Sequence, residues 1–316
     1  MAYRLSNRRA LTAACAVVIS ALVPVKTRAQ DSNERAKILV TSDWLAKHLD
    51  DRNLVLLHVG EEAEYNKEHL PGARFVRLDD IADSDHETPG GLMLQVPTAD
   101  KLREKLANLG ISNDSRVVVY YGNDWVTPST RVIFTLDYAG LGNQSSLLDG
   151  GMQAWKKEGK AVTAAPTELK KGTLSALKIK PIVVDAEYVK SNVAKSGISV
   201  VDGRSSSFYD GVQTGGGMRG AKHKTGHIAG AKSVPFTEIT DASLKLKSPA
   251  ELTAIFTKAG VKPGDTVVGY CHIGQQATGM LFAARSLGHK VLLYDGSFED
   301  WSAHEGYPVE TGAAKQ

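Results

Sequence analysis

The sequence repeats itself once, at the scale of a whole domain. Leu56-Leu57-His58-Val59-Gly60 through Tyr65 matches Val200-Val201-Asp202-Gly203 through Tyr209. His69-Leu70-Pro71-Gly72-Ala73 matches His227-Ile228-Ala229-Gly230-Ala231, and Asp149-Gly150-Gly151 with Trp155 matches Asp295-Gly296-Ser297 with Trp301. The apolar run Val117–Tyr121 matches Thr266–Cys271 when Tyr121 is set opposite Cys271. A repeat this long is a duplicated domain, not a solenoid unit, and 316 residues suit two domains. The second copy is longer: 24 positions separate Gly203 from His227, against 9 from Gly60 to His69, an extension of 15.

Short apolar runs alternate with amphipathic stretches inside each copy. Leu54–Val59, Val117–Tyr121 and Ser146–Leu148 read as strands, as do Ile198–Asp202, Thr266–Tyr270 and Lys290–Tyr294. Lys101–Leu109, Glu251–Ala259 and Thr278–Leu287 read as helices, each running into a glycine suited to a C-cap, at Gly110, Gly260 and Gly288. Alternating strand and helix implies an α/β fold with two domains, each a mainly parallel sheet flanked by helices. The expected division is 30–165 and 182–316, joined by a Lys-, Thr- and Pro-rich linker over 166–181. With 42% hydrophobic, 7% aromatic and 23% charged residues, collagen, a coiled coil, a disordered chain and a multi-span membrane protein are excluded.

Residues 1–29 read as an export leader. Arg4, Arg8 and Arg9 precede the apolar stretch Ala10–Val25, and Thr27-Arg28-Ala29 offers small residues at a cleavage site after Ala29. The apolar stretch is too short and too interrupted for a stable membrane insertion. Arg8-Arg9 keeps a twin-arginine route open beside the general one, and a periplasmic location is expected. The leader also carries the basic excess. The net charge of +3 becomes 33 Lys+Arg against 35 Asp+Glu without it, which argues against a nucleic-acid partner.

Cleavage leaves one cysteine, Cys271, at the end of a strand and just ahead of a helix. Ligands in open α/β sheets bind at the carboxyl ends of strands. The segment Cys271-His272-Ile273-Gly274-Gln275-Gln276 can curl so that its amides face the sulfur, and the helix N-terminus adds partial positive charge; both favour thiolate. Competing motifs do not hold. Gly215–Gly220 fits G-x-G-x-x-G by count but follows a polar stretch and opens no helix. His223 and His227 are four apart, but Gly226 breaks the helix a zinc protease needs, and a cysteine phosphatase wants arginine where Ala277 stands.

The Asp202-Gly203-Arg204 turn, the Gly226–Ala231 stretch, the Tyr270–Thr278 loop and the Tyr294–Trp301 end occur here in one order. Together they resemble a tandem-domain rhodanese, the thiosulfate/3-mercaptopyruvate sulfurtransferase family, over most of the mature chain. The resemblance implies two rhodanese-like domains, with the catalytic cysteine kept in the second and lost from the first, as Tyr121 suggests. It implies transfer of sulfane sulfur through a persulfide on Cys271, with no metal and no cofactor. The loop itself departs from the commoner patterns, which place Arg and Lys, or Gly with Ser or Ala, after the cysteine.

On this reading Cys271 is the nucleophile, and Arg204, His272, Gly274, Gln275 and Gln276 bind the substrate. Arg204 has a second reading as an ion-pair partner, and Asp202 supports the loop. The basic, glycine-rich extension 211–226, with Arg219, Lys222 and Lys224, reads either as a flap that draws anions or as a solvated surface loop. The expected donor is a small anion, thiosulfate ahead of 3-mercaptopyruvate. The acceptor is cyanide, a thiol or a protein. A persulfide carrier or redox-partner protein with little free turnover is the alternative.

Overall fold

The computed structural model describes Met1 and residues 34–85, 87–88, 91–122, 126–215 and 223–312. The leader after Met1 therefore lies outside the described residues, as do Arg219 and Lys222. Two five-stranded sheets, one per copy, form the frame. In the first, β1 (Leu39–Val40), β2 (Leu54–Val59), β3 (Ala73–Val76), β4 (Arg116–Tyr121) and β5 (Ser145–Leu148) lie in the order β1-β5-β4-β2-β3. In the second, β6 (Val183–Val184), β7 (Ile198–Asp202), β9 (Lys232–Ser233), β10 (Thr266–Tyr270) and β11 (Val291–Tyr294) lie in the order β6-β11-β10-β7-β9. Every pairing within both sheets is parallel. A small antiparallel pair, β8 (His227–Ile228) with β12 (Val309–Glu310), closes the second domain.

The repeat extends to individual hydrogen bonds. Tyr120 Oη accepts from Leu70 N at 3.1 Å, and Tyr270 Oη accepts from Ile228 N at 3.1 Å. His69 stacks on Tyr65, and His227 stacks on Tyr209. Trp155 and Trp301 each donate from the indole to a carbonyl a few residues on, Ala161 and Pro308. These buried polar groups fix where the chain may turn, because an unpaired one costs about 1–3 kcal/mol. Strand register refines the alignment: Tyr120 pairs with His58, and Tyr270 pairs with Asp202. Val59, not Gly60, therefore occupies the place of Gly203, and the extension of the second copy is 14 residues rather than 15.

The linker segment over 166–181 contains no helix or strand. It is strapped to the first domain, with Gly172 N donating to Ala107 O and Asn113 N to Thr173 O. The two domains meet through the helices Thr127–Tyr138 and Gln276–Ser286, which sit after the equivalent strands β4 and β10. Thr130 Oγ1 and Thr278 Oγ1 touch there at 3.0 Å, both buried. Gly279 makes the approach close, since a Cβ there would lie 3.0 Å from the Thr127 methyl. Each domain also clasps the other by the same device. Asp149 accepts from Leu246 N at 2.9 Å, and Asp295 accepts from Val96 N at 2.7 Å. Leu94 and Leu244, two residues before those amides, both take a left-handed backbone (φ 54° and 60°).

Candidate active site

Cys271 follows β10, a strand with neighbours on both sides, at the carboxyl edge of the parallel sheet. Its side chain is fully buried and unbridged. Strand-to-helix geometry then demands a sharp reversal in five residues, and Gly274 supplies it with φ 80°. The cysteine backbone is held from the far side: its N–H donates to Ser297 Oγ at 3.2 Å, and its carbonyl accepts from Phe298 N at 3.0 Å. Ser297 itself has φ 53°, a left-handed value that glycine would adopt more readily. Its counterpart in the first domain is Gly151, at φ 50°, where the Tyr121 ring leaves a Cβ only 2.6 Å of room.

Tyr121 fills in the first domain the space that Cys271 occupies in the second. Its hydroxyl donates to Leu244 O at 2.6 Å and accepts from Gly150 N at 2.9 Å. Beside it, His58 stands where the second domain has Asp202, buried in an aromatic cage of Tyr65, Phe75 and Tyr120. Neither of its ring nitrogens has a hydrogen-bond partner among the described residues. Burial, and then the neighbouring His69, lower its pKa to about 4, so the ring is neutral near pH 7.

The sequence-selected residues converge unequally on Cys271. Arg204 is buried and locked onto Asp202. Its Nε donates to Oδ1 at 3.0 Å and its Nη2 to Oδ2 at 2.6 Å, with a further bond from Nη2 to Gly226 O at 2.7 Å. The guanidinium also lies 4.1 Å over the Phe298 ring. Burial would lower its pKa, but the charge and hydrogen bonds of Asp202, with smaller contributions from Tyr270 and Cys271, raise it above the ordinary value. Arg204 is a fixed cation whose charge Asp202 compensates. His272 is nearly buried, packs edge-on to Phe208 at 4.6 Å, and keeps Nδ1 without a partner among the described residues. Burial first, and then Arg204, lower its pKa to about 4 against the opposing pull of Asp202. It offers a neutral imidazole, not a cation.

Gln275 turns toward the first domain, donating from Nε2 to Thr127 Oγ1 at 3.3 Å. Gln276 Oε1 is buried without a partner among the described residues. Lys224, in the extension, is engaged elsewhere: its ammonium donates to His304 O at 2.7 Å and to Tyr307 O at 2.8 Å. Sequence reasoning missed Ser297 and Arg131 near the loop and weighed His223 only as half of a zinc pair. Ser297 is visible only as a non-glycine in a repeat position that is glycine in the first copy. His223 carries a lowered pKa, through burial and then Arg204, against the raising effect of Glu299. Arg131 lies in a helix that received no assignment, because its residues Thr127–Asp137 are buried almost all round and show no polar face.

Comparison with known proteins agrees with this architecture. The family model of the rhodanese-like domain matches residues 41–158 and again 185–304. Thiosulfate sulfurtransferase of Rattus norvegicus is 32% identical over 75% of this chain and 78% of its own. 3-Mercaptopyruvate sulfurtransferase of Escherichia coli K12 is 30% identical over 86% of this chain and 97% of its own. The crystal structure of SseA from Escherichia coli, described as a 3-mercaptopyruvate sulfotransferase with the rhodanese fold, superposes with a TM-score of 0.70 at 27% identity, over 82% of this chain and 98% of that one.

Proposed function

The chain belongs to the rhodanese family, with two rhodanese-like domains in tandem, and on that premise we propose that it moves sulfane sulfur from thiosulfate to a thiophilic acceptor through Cys271. The reaction is sulfur transfer in two displacements. The Cys271 thiolate attacks the outer sulfur of thiosulfate; the S–S bond to the sulfonate breaks and sulfite leaves with its electron pair. The resulting cysteine persulfide anion is then attacked at its terminal sulfur by cyanide or a thiolate. Thiocyanate or a new persulfide departs, and the Cys271 thiolate returns. Each step forms one bond to sulfur and breaks one, so covalent catalysis suffices.

One observation carries the reading: a buried cysteine heads the strand–turn–helix of β10, in the place that Tyr121 fills in the other copy. The turn supplies the remaining chemistry. Amides of residues 272–276 and the N-terminus of the Gln276–Ser286 helix put partial positive charge where a sulfur anion develops. Arg204 and His272 are the proposed contacts for the donor's anionic end, with Gly274, Gln275 and Gln276 lining the turn and Asp202 orienting Arg204. Arg219 and Lys222 remain proposed as part of a basic approach to the site; Lys224, held by His304 O and Tyr307 O, does not.

A second donor has a specific observation behind it. Asp202 compensates Arg204 and His272 is neutral, so the site holds less net positive charge than a dianion favours. A monoanion such as 3-mercaptopyruvate fits that balance. The deciding experiment measures kcat/KM with both donors, cyanide as acceptor, and mass spectrometry of Cys271 for one added sulfur atom. Thiocyanate formed from thiosulfate, with the adduct on Cys271, is expected. At least tenfold preference for 3-mercaptopyruvate reverses the donor assignment, and an adduct without turnover marks a persulfide carrier that hands sulfur to a protein.

Export belongs to the same proposal. No helix among the described residues is long and apolar enough to cross a membrane. Residues 1–29 have a leader's composition, so a mature form beginning at Gln30 in the periplasm is expected. N-terminal sequencing of the secreted protein tests it.

A further inference from the structure

The cysteine-bearing loop is not held by its own domain alone. Arg131, from the first domain's Thr127–Tyr138 helix, is completely buried and reaches across the interface. Its Nη1 donates to Gly274 O at 3.0 Å and to Asp295 Oδ1 at 2.7 Å, and its Nη2 donates to Leu94 O. One side chain thus ties together the catalytic turn, the aspartate that ends β11 and the first domain's clasp loop.

We propose that Arg131 is a positioning residue for sulfur transfer, setting the orientation of the Gly274–Gln275 peptide and so the inward direction of the loop amides. This rests on the reading of Cys271 as the sulfur-carrying nucleophile. The geometry follows from peptide planarity. In a trans peptide the carbonyl and the following N–H point opposite ways. With Gly274 O turned out to the guanidinium, Gln275 N–H is turned to the inner side of the loop. Glycine at 274 has φ 80°, a region that leaves its peptide easy to flip; nothing in its own side chain chooses the orientation. A Cβ there would also stand 2.9 Å from Arg131 Nη1, so the guanidinium occupies the space that makes glycine necessary.

Arginine suits the task because its planar fork serves three acceptors on different elements at fixed angles, which an ammonium on a flexible stem does not. The pairing with Asp295 offsets the cost of burying the charge. Gln275, bonded to Thr127 Oγ1 from the same helix, adds a second tether from the first domain to the same turn. The copy that lost the cysteine thereby retains a part in the reaction.

The test uses the full mature chain with Arg131→Lys, Arg131→Gln and, as an interface control, Asp137→Asn. Asp137 lies further along the same helix and pairs across the domains with Arg285 at 3.2 Å, away from the loop. Hydrogen exchange of the peptide covering residues 270–279 reads the loop directly, without any assumption about substrate. Steady-state kinetics with thiosulfate and cyanide read the consequence. Arg131→Lys keeps a cation opposite Asp295 and is expected to fold, to exchange faster in 270–279 alone, and to lose about tenfold in kcat with little change in KM. Arg131→Gln is expected to show both effects more strongly, and Asp137→Asn neither. Unchanged loop exchange in Arg131→Lys overturns the inference, as does an equal effect from Asp137→Asn or a failure of Arg131→Lys to fold. Faster loop exchange in Arg131→Lys beside a parent chain that turns over no sulfur donor contradicts the functional reading instead.

Discussion

At the scale of single residues, the second domain keeps a serine, Ser297, in a left-handed backbone position where the first has Gly151. Cys271→Ser is expected to abolish sulfur transfer and leave the fold intact, since a hydroxyl is close in size but far too weakly acidic to attack sulfur; residual turnover above background in a thiocyanate assay contradicts the mechanism. Ser297 holds the Cys271 amide while keeping φ 53°. Ser297→Ala keeps the unfavourable φ and loses the hydroxyl, whereas Ser297→Gly loses the hydroxyl but relieves the backbone. The alanine variant is therefore expected to melt lower than the glycine variant, by an amount corresponding to about 1 kcal/mol. The reverse order in thermal melts shows that the backbone there is unstrained. The buried histidines set a pH dependence. Burial lowers the pKa of His58 and of His272 to about 4, from an ordinary value of 6.5. Below about pH 6.5 the unfolded chain takes up these protons first, so stability falls as pH drops from about 6.5 toward 4 and is flat above that window. His58→Leu is expected to reduce that slope; identical Tm-against-pH curves for variant and parent remove His58 as the cause.

The same physics acts on whole elements. The helices Thr127–Tyr138 and Gln276–Ser286 are buried almost all round, because each serves as the other domain's outer layer. A helix in that position carries no polar stripe, so hydrophobic periodicity cannot find it. Gly288 and an apolar run mark the second, which begins at Gln276 rather than the expected Thr278; no local pattern marks the first, nor Arg131 within it. Tyr121 shows how the first domain holds the same element together without a cysteine. Its ring fills the cradle and its hydroxyl links Gly150 N with Leu244 O of the other domain. Tyr121→Phe is expected to cost about 1–3 kcal/mol, seen as a lower denaturation midpoint, with kcat within about twofold of the parent. A large loss of turnover in a folded protein shows that the first domain's cradle takes part in the chemistry.

The two sheets share one core at the scale of the molecule. Val119, Leu136 and Leu147 of the first domain and Phe256, Met280 and Leu293 of the second belong to a single cluster of buried apolar residues. Reciprocal clasps at Asp149 and Asp295 lie at its margins. Neither half can separate without exposing a helix buried almost all round and breaking the buried Thr130–Thr278 and Arg131–Asp295 contacts, so thermal unfolding is expected as one cooperative transition. Two resolved calorimetric peaks contradict that coupling.

The division into two α/β units and the place of Cys271 between a strand and a helix were legible from residue order alone. Those features are local or repeated. A strand's apolar run, a glycine after a helix and a motif recurring at domain spacing leave their mark on consecutive residues. The partners of Arg204, Lys224 and Arg131 were not legible, because a charged side chain shows neither what lies beside it nor whether water reaches it. Arg204 is bound to Asp202 two residues away, Lys224 to carbonyls about 80 residues on, and Arg131 to a turn 143 residues on. The burial of Arg204 and the distant partners of Lys224 and Arg131 depend on how the chain packs, and only the tertiary structure brings those groups within the few ångströms over which a hydrogen bond or a compensating charge acts.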